Sequence, residues 1–271
     1  MPTPKAAGGE PVEELLKYEH VCISYSGVPA VHDVSFSLCA GEILGIAGES
    51  GCGKSTLLKA AMGLLGSGGN VTHGDIRYKG ASLVGLPERE RRRINGAELG
   101  MVFQNSGSSF CPVRTVGTQL YEEMTEHGPV TKKEFAARAE ALLMKLGFED
   151  GRRVLRSYPF ELSGGMQQRA GIAAAMLLEP CVLLADEPTS ALDVTVQKQV
   201  LEALRSVCRT CGTAMVLVTH NIGVIGAMAD RVLVMQNGAA VECGRTQEIL
   251  REPQTEYTRA LLSAVPRLRR S

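Results

Sequence analysis

Nine residues, Gly48-Glu-Ser-Gly-Cys-Gly-Lys-Ser-Thr56, constrain this chain more than any other stretch. They follow Gly41-Glu-Ile-Leu-Gly-Ile-Ala47, a short apolar run that reads as a buried strand. They precede Leu57-Leu-Lys-Ala-Ala-Met62, which reads as a helix. Strand, Gly-x-x-x-x-Gly-Lys-Ser and helix, in that order, is the context of a phosphate-binding loop. The glycines let backbone N–H groups curl around phosphate oxygens with no Cβ in the way, and the helix aims its positive end at the same place. Lys54 supplies a point charge for the β- and γ-phosphates, and the Ser55 hydroxyl is placed to ligate Mg²⁺. Gly48, Glu49, Ser50, Gly51, Cys52, Gly53, Lys54, Ser55 and Thr56 are therefore candidate ligands of a nucleoside triphosphate. The loop alone leaves kinase, GTPase, helicase and transporter open. Cys52 lies inside it, so modification of that thiol is expected to block nucleotide.

A second strand carries acids. Cys181-Val-Leu-Leu-Ala-Asp186-Glu187 has the apolar run of a parallel strand buried on both faces, ending in two carboxylates. At the C-terminal end of such a strand Asp186 is expected beside the phosphate loop, holding Mg²⁺. Glu187 is the candidate general base for the water that attacks the γ-phosphate. Taken alone, a strand ending in Asp-Glu reads equally well as a solvated turn. Ser163-Gly164-Gly165 opens a helical pattern from Met166 onward and could cradle an anion at a helix N-terminus, or Ser163 could simply be an N-cap.

Leu162-Ser-Gly-Gly-Met-Gln-Gln-Arg169 resembles the signature motif of ATP-binding cassette (ABC) ATPases, and the chain continues in that pattern. Glu187-Pro-Thr-Ser-Ala-Leu-Asp193 looks like the catalytic Glu and the D-loop, Val218-Thr-His220 like the switch histidine, and Val102-Phe-Gln104 like the Q-loop. Tyr25 is placed like the aromatic that stacks on adenine. The resemblance runs from residue 18 to about residue 250. It implies an α/β fold: a P-loop NTPase cassette with a RecA-like parallel-sheet core, an antiparallel β subdomain and an inserted helical subdomain at about 105–178. It implies ATP and Mg²⁺ as cofactors, with Ser55, Gln104 and Asp186 at the metal and Lys54, Gln104, Glu187 and His220 in catalysis. Ser163, Gly164, Gly165, Met166 and Asp193 would face the ATP of a second cassette, so two subunits sandwich two nucleotides. Two positions depart from the family: Asn221 stands where Asp is usual after the histidine, and Met166 where most cassettes carry Gln. Met at that place resembles the peptide and nickel importer branch.

Composition narrows the role. Lys plus Arg and Asp plus Glu are both 29, so the net charge is zero and nothing draws the chain to nucleic acid from a distance. Aromatics are 4% with no Trp, too few for a base-stacking surface. Glu88-Arg-Glu-Arg-Arg-Arg93 then reads as a solvated helix face, although a nucleic-acid patch is the alternative. The stretch from Gly212 to Ala229 lacks charge but is broken by Thr219-His220-Asn221, so it reads as strand plus helix and no transmembrane segment is evident. Cys208-x-x-Cys211 has no second pair to complete a zinc site and reads as incidental.

Residues 1–17 read as a leader and 251–271 as a tail. Pro253-Gln-Thr-Glu-Tyr257-Thr-Arg-Ala-Leu-Leu-Ser-Ala-Val-Pro266 resembles the His-Pro-Tyr-Thr tail of oligopeptide, dipeptide and nickel importer ATPases, with Thr255-Glu256 in place of His-Pro. The resemblance implies an importer motor for peptides or nickel and metal–chelator complexes. It would work on the cytoplasmic face of the membrane with a second, paralogous ATPase subunit, two permeases and an extracytoplasmic binding protein, and without nucleic acid. The permease contact is expected within about residues 104–161, first at Asn105–Pro112. A soluble ABC ATPase acting on DNA or ribosomes is the alternative.

Overall fold

The computed structural model describes residues 13–104, 106–190 and 192–264. In chain order the elements are β1 (Glu14–Tyr25), β2 (Val28–Cys39), β3 (Ile43–Ala47), α1 (Lys54–Met62), β4 (Gly69–Tyr78) and β5 (Ala81–Ser82). Then come α2 (Glu88–Ile94), β6 (Leu99–Val102), α3 (Val116–Glu126), α4 (Lys132–Lys145), α5 (Gly151–Arg156), α6 (Gly164–Met176), β7 (Val182–Asp186) and α7 (Val194–Cys211). The last are β8 (Ala214–Val218), α8 (Ile222–Met228), β9 (Arg231–Gln236), β10 (Ala239–Arg245), α9 (Thr246–Arg251) and α10 (Glu256–Ser263). They form two compact units, Glu88–Thr213 and the chain on either side of it.

The outer unit holds the antiparallel strands and part of the parallel set. β1 pairs antiparallel with both β2 and β4. Alternation along β1 and β2 buries Leu16, Tyr18, Val21, Ile23, Val34, Phe36 and Leu38, the Tyr18 and Phe36 rings stacking at 4.2 Å. The Tyr18 hydroxyl donates to the carbonyl of Leu57 at 2.8 Å, tying this sheet to the helix after the phosphate loop. β3 is buried along its whole length and runs parallel to both β8 and β9. Gly45 at its centre admits α8: a Cβ there would meet Ile225 Cδ1 at 2.7 Å. β9 and β10 form a hairpin, with Asn237 (φ 48°) and Gly238 (φ 81°) as its two turn residues. β1 starts at Glu14, so residues 14–17 are strand and not leader.

In the inner unit β6 and β7 run parallel, Leu99–Val102 against Val182–Ala185, and α6 packs on β6. A Cβ on Gly100 would sit 2.5 Å from the Ala175 carbonyl, so only glycine permits that approach. α4 begins with a capping box, Thr131 and Glu134 satisfying each other's backbone N–H groups. α3, α4 and α5 pack together, and Leu120, Leu143 and Val154 are buried among them. Each fully buried leucine contributes about 2 kcal/mol. α2 buries none of its residues, as its solvated reading requires. Cys208 and Cys211 lie in the last turn of α7, and burial pushes the Cys208 thiol up to about 12. Among the described residues no helix is long and apolar enough to cross a membrane.

Candidate nucleotide site

The outer unit supplies the phosphate loop. β3 delivers the chain to Gly48, where a Cβ would lie 2.3 Å from the Met235 carbonyl and 2.8 Å from Cys52 Sγ. Gly51 and Gly53 have φ of 84° and 97°, the left-handed region that L side chains resist. The glycine spacing is thus a backbone requirement. α1 starts at Lys54, within the motif, with Gly53 as N-cap, no side-chain cap and no acid in its first turn. That arrangement favours an anion at the helix N-terminus. Lys54 is buried, and its Nζ donates to the carbonyls of Gly48 at 2.8 Å and Glu49 at 2.6 Å. The ammonium folds onto its own loop and must turn outward to meet a phosphate. Cys52 is also buried, its Sγ 3.6 Å from Lys54 Nζ. The thiol therefore faces the interior of the loop, which shields it from the modification expected of an exposed one. Glu49, Ser50 and Gly51 form the exposed rim, with Ser55 and Thr56 half-buried.

Three further predicted residues belong to this unit. Tyr25 ends β1, half-buried, its ring 2.8 Å from where a Cβ of Gly69 would be. His220 follows β8 and is exposed. Asn221 caps α8, its side-chain oxygen accepting from Gly223 N at 2.9 Å and Val224 N at 3.3 Å. An Asp would use the same oxygen, so the departure from the family keeps the cap.

The inner unit supplies the carboxylates. Asp186 is buried at the end of β7. Glu187 has φ 45°, left-handed for a residue with a side chain, a strain that structures keep at functional sites. Its Oε2 accepts from Gln104 Nε2 at 3.2 Å, so two predicted catalytic residues meet, 83 positions apart. Ser190 Oγ, three residues on, donates to the Gln104 carbonyl at 3.4 Å. Ser163 is the N-cap of α6, its Oγ accepting from Met166 N at 3.3 Å, and both Ser163 and Gly164 are exposed. Beside Gly164 a Cβ would meet nothing within 4 Å, leaving room for an anion. Asp193 caps α7, accepting from Thr195 N at 3.1 Å and Val196 N at 3.0 Å. Of the loops singled out in the sequence, Asn105 and Ala191 lie outside the described residues.

Gln168 is a residue that the sequence reading passed over. It is 2% exposed. Its Oε1 accepts from Ser106 N at 3.2 Å and its Nε2 donates to the Pro188 carbonyl at 2.8 Å. One amide thus joins the loop after Gln104, the signature helix and the turn after Glu187. The available signal was a polar residue on the apolar face of α6 beside Gly171 and Ile172. Gly171 adds a second contact, since a Cβ there would fall 2.2 Å from Ser106 Cβ.

A glycine loop on a strand–helix junction, a strand ending in Asp-Glu and a Gln reaching that Glu define a P-loop nucleotide-binding cassette. The ABC transporter family model matches residues 31–190, and this chain belongs to that family. The C-terminal region of oligopeptide/dipeptide transporters matches residues 241–271. The chain is 44% identical over 264 residues to the dipeptide transport ATP-binding protein DppD of Bacillus subtilis, covering 95% of this chain and 78% of the relative. It is 39% identical to the oligopeptide transport ATP-binding protein OppD of Salmonella typhimurium, covering 96% and 78%. A dimeric ATP-binding cassette in a post-hydrolysis state, bound to ADP and Pi, superposes with a TM-score of 0.76 at 27% identity, over 86% of this chain and 99% of that one. The chain is an ABC ATPase, and its cofactors are ATP and Mg²⁺.

Proposed function

We propose that this chain is the ATP-hydrolysing subunit of a peptide importer. The carrying observation is that the ABC match and the peptide-transporter C-terminal match fall on one chain whose phosphate loop and Gln104–Glu187 pair are both built. The relatives named for dipeptide and oligopeptide transport favour peptide cargo over nickel or metal chelates.

The roles follow from chemistry. The Gly48–Thr56 amides and Lys54 would bind the phosphates, Tyr25 would take the adenine, and Ser55, Gln104 and Asp186 would be the residues to hold Mg²⁺. Bound ATP supplies the phosphoryl group, and Mg²⁺ neutralises its charge. Glu187 accepts the proton of the attacking water, and His220 fixes that water against the γ-phosphate. Ser163, Gly164, Gly165, Met166 and Asp193 complete the site of a partner cassette, so the working unit is a pair of cassettes, one a paralogue of this chain.

The subunit sits peripherally on the cytoplasmic face, held by two permeases that receive cargo from an extracytoplasmic binding protein. A groove of about 620 Å³ in the inner unit, lined by Thr115, Gly117, Tyr121, Phe135 and Arg152, lies within residues 104–161. It is suited to grip a short permease helix, because its walls are mainly apolar and its lining includes charged side chains such as Arg152. The test is reconstitution with permeases and partner cassette in vesicles. Peptide uptake that needs ATP and is lost in Lys54→Ala supports the reading. ATP hydrolysis without copurifying membrane proteins or uptake would return the chain to the soluble alternative.

A further inference from the structure

We propose that Tyr257, in the C-terminal helix, positions the phosphate loop for ATP by accepting a hydrogen bond from the loop's own backbone. The inference rests on Gly48–Thr56 binding phosphate. The Tyr257 hydroxyl accepts from Glu49 N at 3.2 Å, across 208 positions of chain. Glu49 is the second residue of the loop and lies exposed on its rim, where no strand or helix bond holds its amide.

The tyrosine is itself firmly seated. Tyr257, Leu261 and Leu262 of α10 pack on a cluster that includes Ala47, Ile222, Ile225 and Val234. Ala47 immediately precedes Gly48, and Ile222 opens α8 two residues after His220. The start of α10 is tied to β10, where the Glu242 carboxylate accepts from Gln254 N at 2.8 Å, Thr255 N at 3.2 Å and Thr255 Oγ1 at 3.0 Å. Thr255 in turn caps α10 by accepting from Thr258 N at 3.2 Å. Burial pushes the Tyr257 hydroxyl above its ordinary value, which keeps it neutral and protonated.

A residue changes affinity only by treating the two states differently. Here Lys54 holds the Gly48 and Glu49 carbonyls from inside the loop. When the ammonium turns to a phosphate, those two bonds are given up. The Tyr257 bond comes from outside the loop and is kept, so it fixes Glu49 most where the internal bonds have gone. A pinned loop loses less freedom on binding, which is preorganisation. Tyr257 touches no reacting atom and acts through the loop.

The test compares the full chain with Tyr257→Phe, which retains the ring against the cluster and removes only the hydroxyl. ATPγS affinity is measured by calorimetry with Mg²⁺, alongside steady-state kinetics and nucleotide-free melting. The expected result is a Kd and KM about 2- to 5-fold higher, part of the worth of one hydrogen bond because the bond is present in both states, with kcat within about twofold and only a small fall in nucleotide-free melting temperature. Glu242→Ala, which loosens the seat of α10, moves Kd the same way, and the double variant is less than additive. Equal Kd in wild type and Tyr257→Phe overturns the proposal. So does a large fall in nucleotide-free melting temperature with kcat and affinity lost together, which would make the residue structural. No ATPγS binding by the wild type would instead refute the phosphate-loop reading beneath it.

Discussion

Gln104 Nε2 donates to Glu187 Oε2 at 3.2 Å, joining the second residue past β6 to the first residue past β7, the two strands being parallel neighbours. The bond occupies one oxygen of the carboxylate expected to accept a proton from water, and it orients the other. Glu187→Gln removes the base and keeps the shape. ATP hydrolysis is expected to fall by about 10²- to 10⁴-fold, the usual worth of a general base. Nucleotide binding remains, and with the partner cassette present size-exclusion chromatography should show an ATP-dependent assembly. Substantial residual turnover would remove Glu187 from the base role.

Gln168→Leu keeps volume but strands the Ser106 amide and the Pro188 carbonyl in a buried place. Two unsatisfied groups cost about 2–5 kcal/mol, which a urea midpoint would register. Because both partners flank catalytic residues, kcat should fall more than the stability loss alone explains. Gly171→Val probes the same junction, since its Cβ position is 2.2 Å from Ser106 Cβ. Overpacking there is expected to cost about 1–3 kcal/mol.

Glu123 in α3 makes stability depend on pH. Burial pushes its carboxyl up from 4.5 to about 7. The folded state therefore resists ionisation that the unfolded chain accepts, so this residue's contribution declines as pH rises from about 4.5 through about 7. Above that range the full penalty is present, and below it there is none. Glu123→Gln should raise the melting temperature at pH 8 and leave it unchanged at pH 4.5. An equal shift at both pH values would show that the carboxyl is not the cause.

Asn221→Ala removes the cap that accepts from Gly223 N and Val224 N, at a cost of about 1 kcal/mol. Asn221→Asp keeps the accepting oxygen and should preserve both stability and turnover. A large gain in ATPase activity for the Asp variant would show that the family's usual residue does more than cap α8.

What the sequence determined was local. Gly51 and Gly53 take left-handed φ in the turn itself, so the loop was legible from spacing, although the close approach of the Met235 carbonyl to Gly48 is a tertiary contact. The Asn237-Gly238 turn, the Thr131–Glu134 capping box and the alternation of β1 and β2 are likewise written in neighbouring positions. Tertiary structure decided the contacts between distant segments. Nothing near Glu49 announces that its amide will meet a hydroxyl 208 positions away, and nothing near Gln168 announces its two partners, 62 and 20 positions distant. Even Lys54, identified from its motif, has a resting place on the Gly48 and Glu49 carbonyls that only the folded loop defines. Periodicity and turn chemistry act over one or two turns of chain, whereas a buried polar atom takes whichever partner the packing of whole strands and helices brings within reach.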